Sequence, residues 1–313
     1  MRHSASFVLS SILIAAACGG RTELDTLTEN IIGGSLPRGD TVATGGTYGG
    51  APSTGGTTSA AGSLGSGCTG SFEEIQNSTG LCVTKMVPIT APSSTDDYSI
   101  DATEVTQGQY HAWLAHNPAL PASADANCSY VTSYVEQSTG GIYTVTDATH
   151  DPVVFVDWCD AYVYCKGVGK RLCGAIGGGT NAYASYTDAT LSQWYRACSS
   201  GGVDTYPYGN TYQATACDGY DYWIDNSSTS QPMSVGSLAN CVTSTTGYAG
   251  AYDLSGNVWE WEDSCSSTGS SAGCLVRGGA FNYGSSSNLT CGGGGSDARN
   301  YVSNDLGFRC CSP

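Results

Sequence analysis

Apolar residues follow strand-like alternation over short runs of the chain and helical spacing over three longer segments. The alternation predicts short strands over residues 82–90 and 97–101. The helical spacing predicts helices over residues 107–115, 158–166 and 188–198. Beyond Gly201 the chain is punctuated by Gly, Asn, Asp and Ser, so we expect only short strands and loops there. The pattern therefore predicts an α+β fold with little regular structure.

Two of the predicted helices are preceded by residues that suit a helix N-cap. Thr106 and Asp157 stand at these positions, where a hydroxyl or a carboxylate can accept a backbone N–H of the first helical turn. In the first helix, Tyr110, Trp113 and Leu114 recur at helical spacing. We expect this stripe to be the buried face of the helix.

The N-terminal segment predicts export. Arg2 precedes an apolar run from Phe7 to Ala17, which has the length of a secretory signal and is too short to span a bilayer. The run ends at Cys18 in a sequence that resembles the lipobox of bacterial lipoproteins, in which the cysteine becomes lipidated. Ordinary signal cleavage after Ala17 is the alternative.

Three regions follow from this interpretation. Residues 1–17 are the predicted signal peptide. Residues 18–67 are rich in Gly, Ser, Thr and Ala and predict a flexible, lipid-anchored linker, because such a composition cannot bury enough apolar surface to fold. Residues 68–313 are the predicted domain. The expected location is the bacterial cell envelope, on the outer membrane or the cell surface, with the lipid as the only membrane contact.

The charge of the chain argues against a nucleic-acid partner. The sequence has 27 acidic and 11 basic residues and a formal charge of −16. Phosphate binding needs a basic face that releases counterions, and the few Lys and Arg residues are scattered along the chain. Lys170 and Arg171 are adjacent, but we expect them to hold backbone carbonyls in a core with few strands.

Cysteine usage predicts a disulfide framework. The chain has 15 cysteines, and without Cys18 an even number is left. An even count in an exported chain is typical of disulfides, whereas zinc and iron–sulfur sites would need CxxC pairs, which are absent. The sequence alone does not pair these cysteines.

Eight segments, in order, resemble the formylglycine-generating enzyme family, also called the sulfatase-modifying factor domain. They are IDATEVT (100–106), PVVFVDWCDAY (152–162), GKRL (169–172), WYRAC (194–198), YPYGN (206–210), YDLSGNVWEW (252–261), RGGAF (277–281) and GFRC (307–310). The resemblance extends from about residue 82 to the C-terminus. It implies a single C-type-lectin-like α+β domain with little regular secondary structure.

The resemblance also implies disulfide bridges. By position, the family's bridges correspond to Cys165–Cys310 and Cys198–Cys291. The other pairs are chosen by proximity along the chain. These are Cys265–Cys274, Cys217–Cys241 and Cys68–Cys82.

Formylglycine formation in this family uses Cu(I) held by two thiolates, and the resemblance places Tyr283 and Asn288 at those two positions. Neither side chain is a soft ligand of the kind that Cu(I) requires. Residues 281–290 contain no sulfur, and Ala280 replaces the serine usual in active members. We therefore expect no copper and name no catalytic residue.

A calcium loop of the family resembles residues 253–260. It implies oxygen ligands from the carboxylates of Asp253 and Glu260 and from the carbonyls of Gly256 and Val258. A second calcium set is implied at Asp225 and the carbonyl of Ser227, with Asp218 as a partner. The alternative is that the neighbouring tryptophans are core residues and the acids cap turns.

These observations lead to two main hypotheses. The first is an exported, surface-tethered pseudoenzyme that binds Ca²⁺ and holds an unknown glycan, peptide or envelope protein. Its contact surface would be an aromatic group, unless these side chains fill small cores instead. The members are Tyr206, Tyr208, Tyr212, Tyr220, Tyr222 and Trp223. The second hypothesis is a formylglycine-generating-type oxidoreductase that modifies a cysteine of an exported protein. A purely structural envelope protein is a third possibility.

Overall fold

Short strands and four short α-helices make up the regular structure of the described residues. The computed structural model describes Cys68 and residues 72–90, 96–120, 127–137, 147–226, 228–284 and 286–312. These residues all fall in one unit, Ala60–Pro313. The predicted signal peptide, the lipidated Cys18 and the linker up to residue 67 lie outside the described residues.

The elements follow one another in α+β order, as the sequence predicts. In the N-terminal half they are β1 (Glu74–Gln76), β2 (Cys82–Thr84), β3 (Met86–Ile89), β4 (Tyr98–Asp101), α1 (Gln107–Leu114) and α2 (Trp158–Gly167). They continue with β5 (Arg171–Leu172), a 3₁₀ turn (Tyr183–Ser185), α3 (Gln193–Cys198) and α4 (Tyr220–Asp225). The last are β6 (Trp259–Cys265), β7 (Gly273–Arg277), β8 (Gly294–Ala298), β9 (Leu306–Gly307) and β10 (Cys310–Cys311).

The first sheet has the order β3-β4-β10-β5, so the C-terminal strand lies inside it. In antiparallel register, Cys311 pairs with Ile100 of β4 and Cys310 pairs with Leu172 of β5. Strands β1 and β2 form a separate antiparallel pair. The predicted strand over residues 82–90 is thus divided at Lys85 between the pair and the sheet.

The second sheet has the order β8-β7-β6-β9 and carries the longest strand, β6. Strands β6 and β7 form a hairpin in which Cys265 faces Cys274, while β9 joins the other edge of β6 in parallel. Gly294 and Gly295 belong to β8. Because glycine has no side chain, β8 can lie close to β7 here. A Cβ on Gly295 would lie only 3.1 Å from the Val276 side chain.

The predicted caps of α1 and α2 are confirmed. Thr106 accepts the backbone N–H of Gln109, and the Gln109 side chain accepts that of Thr106, which makes a capping box. Asp157 and Asp160 form the same arrangement at the start of α2. Local hydrogen bonding of this kind depends on a few adjacent residues, which explains why the sequence predicts it well.

Two helix predictions need correction. The helix predicted over residues 188–198 begins only at Gln193, because Asp188 accepts hydrogen bonds from Thr190 and closes a turn. Beyond Gly201, where only strands and loops are expected, the chain forms α4. This six-residue helix buries Trp223, whose indole N–H donates to Asp218 at 2.6 Å. A tertiary contact therefore stabilises a helix that has no side-chain cap of its own.

Two large apolar clusters and a small one of Val154, Phe155 and Val258 fill the interior of the described region. In the largest one, Tyr110 and Trp113 of α1 pack against Tyr164 of α2 and Phe308. The second large cluster lies between the first sheet and α3. It includes Ile89, Ile100, Trp194, Ala197 and Leu254. Of the predicted buried stripe of α1, Tyr110 and Trp113 are buried, whereas Leu114 is only partly buried.

Seven disulfides cross-link the described residues. The pairs expected from the family or by proximity are all present, namely Cys165–Cys310, Cys198–Cys291, Cys265–Cys274, Cys217–Cys241 and Cys68–Cys82. The sequence did not predict the other two, Cys128–Cys159 and Cys173–Cys311. Consecutive residues of a strand point to opposite faces, so Cys310 and Cys311 bind β10 to different neighbours.

Lys170 and Arg171 serve the structural role expected of them. The Lys170 ammonium donates to the carbonyl of Thr84 at 2.6 Å and pairs with Asp101. The Arg171 guanidinium donates to backbone carbonyls of the following loop. Among the described residues, no helix is long and apolar enough to cross a membrane.

Removing both disulfides of β10 is expected to lower the unfolding free energy by more than the sum of the two separate removals. Cys165–Cys310 and Cys173–Cys311 close nearly the same loop, with separations of 145 and 138 residues. While one bridge is intact, the other closes only a short extra loop. Alanines at either pair should cost about 3 kcal/mol of unfolding free energy by loop entropy, and alanines at both pairs about 8 kcal/mol.

Urea unfolding of the oxidised full chain measures these losses. The control is the Cys265–Cys274 pair, which closes an independent hairpin, so its loss should add to that of either β10 pair. A four-alanine variant that loses no more than the sum of the two pairs would contradict the shared-loop explanation.

Candidate functional site

A cavity of about 380 Å³ opens at one end of the second sheet. All four strands of that sheet contribute to it, together with the two loops that follow β7 and β8. The lining residues are Trp259, Val276, Tyr283, Asn288, Gly294, Gly295, Ser296, Asp297, Tyr301, Asp305 and Leu306. We call this cavity the groove.

Aromatic rings form part of the wall of the groove. The Trp259 and Tyr283 rings meet edge to face, with centroids 5.2 Å apart. Tyr283 is 39% exposed and Tyr301 is 45% exposed, so both present ring surface to an incoming ligand. Large, partly exposed rings on a rigid sheet supply contact area at a low cost in conformational entropy.

Tyr283 and Asn288 stand where the family resemblance requires copper thiolates. The Asn288 amide donates to the carbonyl of Gly284 at 3.1 Å, and burial raises the pKa of Tyr283. The phenol is therefore neutral at ordinary pH. The nearest sulfur along the chain, Cys291, is bonded to Cys198, and every other cysteine of the described residues is also in a disulfide.

Two carboxylates, Asp297 and Asp305, give the groove a negative charge. Burial raises the pKa of Asp297, and the nearby Asp305 carboxylate raises it further. Asp305 accepts hydrogen bonds from Asn282 at 3.0 Å and from Ser303. The lining contains no Lys, Arg or His.

The loop predicted to bind calcium has a tightly curled backbone. Asp253, Gly256 and Asn257 have φ values of 57°, 78° and 57°, in the left-handed region. A Cβ on Gly256 would lie 2.1 Å from the carbonyl oxygen of Asp218, so only glycine fits there.

Glu260 is held by a buried guanidinium. Arg309 donates to both Glu260 oxygens, with Nε 2.7 Å from Oε2 and Nη2 2.6 Å from Oε1. Trp194 also donates to Oε2, at 2.8 Å. A carboxylate offers about four lone-pair positions, and these three bonds leave one of them for a further ligand.

Three more carboxyl groups, those of Glu104, Asp253 and Asp218, lie near this pair or near one another. Glu104 Oε2 and Asp218 Oδ2 are buried and accept no hydrogen bond. Burial and the Asp253 carboxylate raise the pKa of Glu104 well above its usual range, and burial raises the pKa of Asp253 to about 6. Glu104, Asp253 and Glu260 thus lie near one guanidinium, and Asp218 lies near Asp253. A bound cation would favour the charged forms of these buried carboxyl groups.

These observations are compatible with the predicted calcium set of Asp253, Gly256, Val258 and Glu260. Backbone carbonyls would be needed among its ligands. Among the described residues, no three His, Cys, Asp or Glu side chains converge in a way that could hold a metal by themselves. The carbonyls of Gly256 and Val258 accept no hydrogen bond from a described loop or side chain. A hard cation such as Ca²⁺ would therefore be held by mixed carboxylate and carbonyl oxygens.

The second predicted calcium set stays a prediction, because the structure describes only part of it. Asp225 is exposed at the end of α4, and Ser227 lies outside the described residues. Asp218 is buried. Its carboxylate accepts the indole N–H of Trp223 in α4, and its backbone carbonyl accepts the N–H of Asn257 in the first loop at 2.7 Å.

In the aromatic group between Tyr206 and Trp223, some side chains fill small cores and others are exposed, as a contact surface would require. Tyr206 is buried and its ring stacks on that of Tyr208, with centroids 5.3 Å apart. Tyr212 donates to Asp221 at 2.6 Å, and Trp223 is buried. Tyr220 is 47% exposed and lies beside Gly284, next to the groove. Tyr206, Tyr208 and Trp223 thus pack locally, whereas Tyr220 extends the groove surface.

Residues 61–312 match the model of the sulfatase-modifying factor enzyme 1-like domain. The chain belongs to this family. The formylglycine-generating enzyme of Thermomonospora curvata is 29% identical over 134 residues, which cover 41% of this chain and 38% of that enzyme. The inactive C-alpha-formylglycine-generating enzyme 2 of Bos taurus is 30% identical over 172 residues, which cover 51% of this chain and 50% of that protein. The chain thus spans half or less of the length of these curated relatives.

Solved structures with a similar chain path include PvdO from Pseudomonas aeruginosa. That structure is 18% identical, with a TM-score of 0.48, and the match covers 75% of this chain and 95% of the other.

A second cavity of this sulfatase-modifying factor domain lies between α1 and α2 and was not predicted. Its volume is about 410 Å³, and its lining is mostly apolar. Trp113 and Val163 contribute from the two helices, with His116 and Lys166 at the margin. The sequence gives no signal for it, because the cavity depends on how far apart the two helices pack.

Gly256→Ala should test the close approach of the calcium loop to Asp218. The new methyl group would meet the Asp218 carbonyl and would also force alanine to adopt positive φ. Gly269 provides the control, because it has φ of 90° and nothing within 4 Å of its Cβ position. In urea unfolding we expect Gly269→Ala to lose about 1 kcal/mol and Gly256→Ala about 3 kcal/mol. Equal losses would show that the approach to Asp218 imposes no constraint.

Proposed function

We propose that this chain is an exported, lipid-anchored sulfatase-modifying factor domain that binds a ligand in the groove and performs no copper-dependent cysteine oxidation. The observation that carries the proposal is the placement of Tyr283 and Asn288 on the wall of the groove. The resemblance puts the two thiolates of the family's copper site at these positions. A relative from Bos taurus is itself named as an inactive enzyme of this kind.

Ligand chemistry supports the loss of copper binding. Cu(I) is a soft ion and prefers thiolates or thioethers. Tyr283 offers a neutral phenol and Asn288 an amide that already donates to Gly284. Within the described residues, a thiolate could come from elsewhere only if a disulfide were opened, since all their cysteines are paired.

The shape of the groove supports a binding role. It is concave, it has partly exposed rings on a sheet platform, and its volume is in the range of ligand sites. The candidate ligands are a glycan, a peptide or another envelope protein. Tyr220, beside Gly284, widens the available contact surface.

The cysteine pattern supports the proposed location. Seven disulfides in one domain form and persist in an oxidising compartment such as the bacterial periplasm or the cell surface. Lipid on Cys18 and the linker over residues 18–67 would then hold the domain near the membrane while letting it move.

We further propose that Ca²⁺ binds at Asp253, Glu260 and the carbonyls of Gly256 and Val258. The excess of buried carboxylates supports this proposal. The ion would fix the loop that leads directly into β6. Because Trp259 of the groove follows Val258, a fixed loop would also fix the orientation of one groove wall.

Anaerobic Cu(I) titration should separate the proposal from the oxidoreductase alternative. The experiment compares the chain with a double-cysteine variant, and both carry Cys18→Ser so that only sulfur within the domain is counted. The otherwise unchanged chain should bind no stoichiometric Cu(I) and should leave a cysteine-containing sulfatase-type peptide unchanged by mass spectrometry. The matched variant Tyr283→Cys/Asn288→Cys should gain two titratable thiols and bind Cu(I), because it supplies two soft ligands. Copper binding with peptide oxidation by the unchanged chain would overturn the pseudoenzyme proposal.

Calcium should stabilise the full chain if the proposed set is correct. At a Ca²⁺ concentration of 100 times the Kd, the unfolding free energy should rise by about 2.7 kcal/mol, and EDTA should reverse the gain. Asp253→Ala should abolish the gain, whereas Asp225→Ala should leave it unchanged if only the first set binds. Urea unfolding with and without Ca²⁺ measures each case. A gain that survives Asp253→Ala but not Asp225→Ala would move the site to the second set.

A further inference from the structure

We propose that the groove recognises a cationic group, the ammonium of a lysine or the guanidinium of an arginine on an exported peptide. This inference rests on the proposed binding function and names the chemistry of its ligand. It is carried by the combination of a concave aromatic wall with two carboxylates and no basic residue in the lining.

The carboxylates of the groove are not neutralised by the nearest arginines. Arg277 follows Val276 along β7, but its guanidinium lies between the rings of Tyr186 and Trp194 and donates to the Cys291 carbonyl at 2.9 Å. The Arg299 guanidinium donates to two carbonyls of the β6–β7 turn region, at 2.6 and 3.1 Å. Both cations are thus committed elsewhere.

Asp297 is the carboxylate best placed to meet a ligand. Its side chain is partly exposed and accepts no hydrogen bond from a described residue. Asp305, in contrast, is held by Asn282 and Ser303 and is nearly buried. A fixed carboxylate beside a free one favours a bound cation, which removes their mutual repulsion and can donate to the open oxygens of Asp297.

The rings strengthen the preference for a cation. Trp259, Tyr283 and Tyr301 surround the same space as the carboxylates. The electron-rich face of an aromatic ring attracts an ammonium or a guanidinium, and Trp does so most strongly. A neutral sugar could stack on the same rings, but it would leave the two carboxylates without a counter-charge.

The net charge of the protein acts in the same direction. With a formal charge of −16, the chain attracts basic peptides over distances longer than a contact. This attraction is screened by salt, whereas the contact with a partly buried Asp297 is screened less. Selectivity within the groove can therefore be separated from general attraction by measuring at raised salt.

Calorimetric titration of the full chain with four probes tests the inference. The probes are acetyl-Gly-Lys-Gly-amide, acetyl-Gly-Arg-Gly-amide, the neutral acetyl-Gly-Gln-Gly-amide and the neutral sugar chitotriose. At 0.3 M NaCl we expect the two cationic peptides to bind at least about tenfold more tightly than either neutral probe. The Lys and Arg arms show which cation the groove prefers.

Three variants locate the effect. Asp297→Asn should remove most of the preference for the cationic peptides, and Tyr301→Ala should weaken all binding. Glu73→Gln is the matched control. It removes the same charge from a surface ion pair with Lys85, outside the groove lining, and should leave the affinities unchanged.

The outcomes separate this inference from the function on which it rests. Equal binding of cationic and neutral probes, weakened by Tyr301→Ala, would overturn the cation preference and keep the groove as a binding site. Tighter binding of chitotriose would replace the cation with a sugar. If Asp297→Asn and Glu73→Gln weakened the binding of the cationic peptides equally, the preference would come from net charge alone, and the inference would be overturned. Failure of all four probes to bind would also overturn the inference, while the copper titration decides the proposed function independently.

Discussion

The buried guanidinium of Arg309 is the interaction on which the two sheets depend. It binds Glu260 of β6 through two hydrogen bonds and also donates to the carbonyls of Asp101, in β4, and Tyr252. Burial alone would lower the pKa of Arg309, yet the surrounding carboxylates raise it overall. The ion stays charged, and its loss would leave Glu260 uncompensated in the interior. One side chain between β9 and β10 therefore joins the first sheet to the second.

The groove takes its rigidity from the same region. Strand β9 lies against β6, and only Phe308 and Arg309 separate it from β10. Two disulfides fix β10 on its two faces, so the backbone that leads from the groove at Asp305 to the C-terminus has little freedom. The neighbouring Trp259, whose backbone N–H donates to the Asp305 carbonyl at 2.7 Å, follows the curled loop of Gly256. Both segments are thus set by contacts outside the groove, which is the condition for a preorganised binding surface.

The sequence predicted the features of this domain that depend on neighbouring residues. The caps at Thr106 and Asp157 need only a side chain and the next helical turn, and the structure confirms both. The position of Asp218 could not be predicted in this way, because it results from a fold that presses its carbonyl against Gly256, far along the chain. The bridge Cys173–Cys311 has the same origin, since only strand pairing shows that adjacent cysteines face different partners. The helix α4 was missed because its stability comes from the burial of Trp223.

Under the proposed function, the separation of scaffold and groove would let this domain lack the metal site and keep its stability. Arg309 and Gly256 are fixed by buried charge and by backbone contact, and almost any replacement would disturb the interior. Tyr283 is exposed in part, and Asn288 makes one bond within its own loop. The scaffold places no comparable demand on these two positions, because no buried network passes through them. A change from thiolate to phenol or amide there alters what the groove can bind and leaves what holds the domain together unchanged. The chemistry of the groove can therefore change from metal binding to ligand recognition while the surrounding fold stays constant.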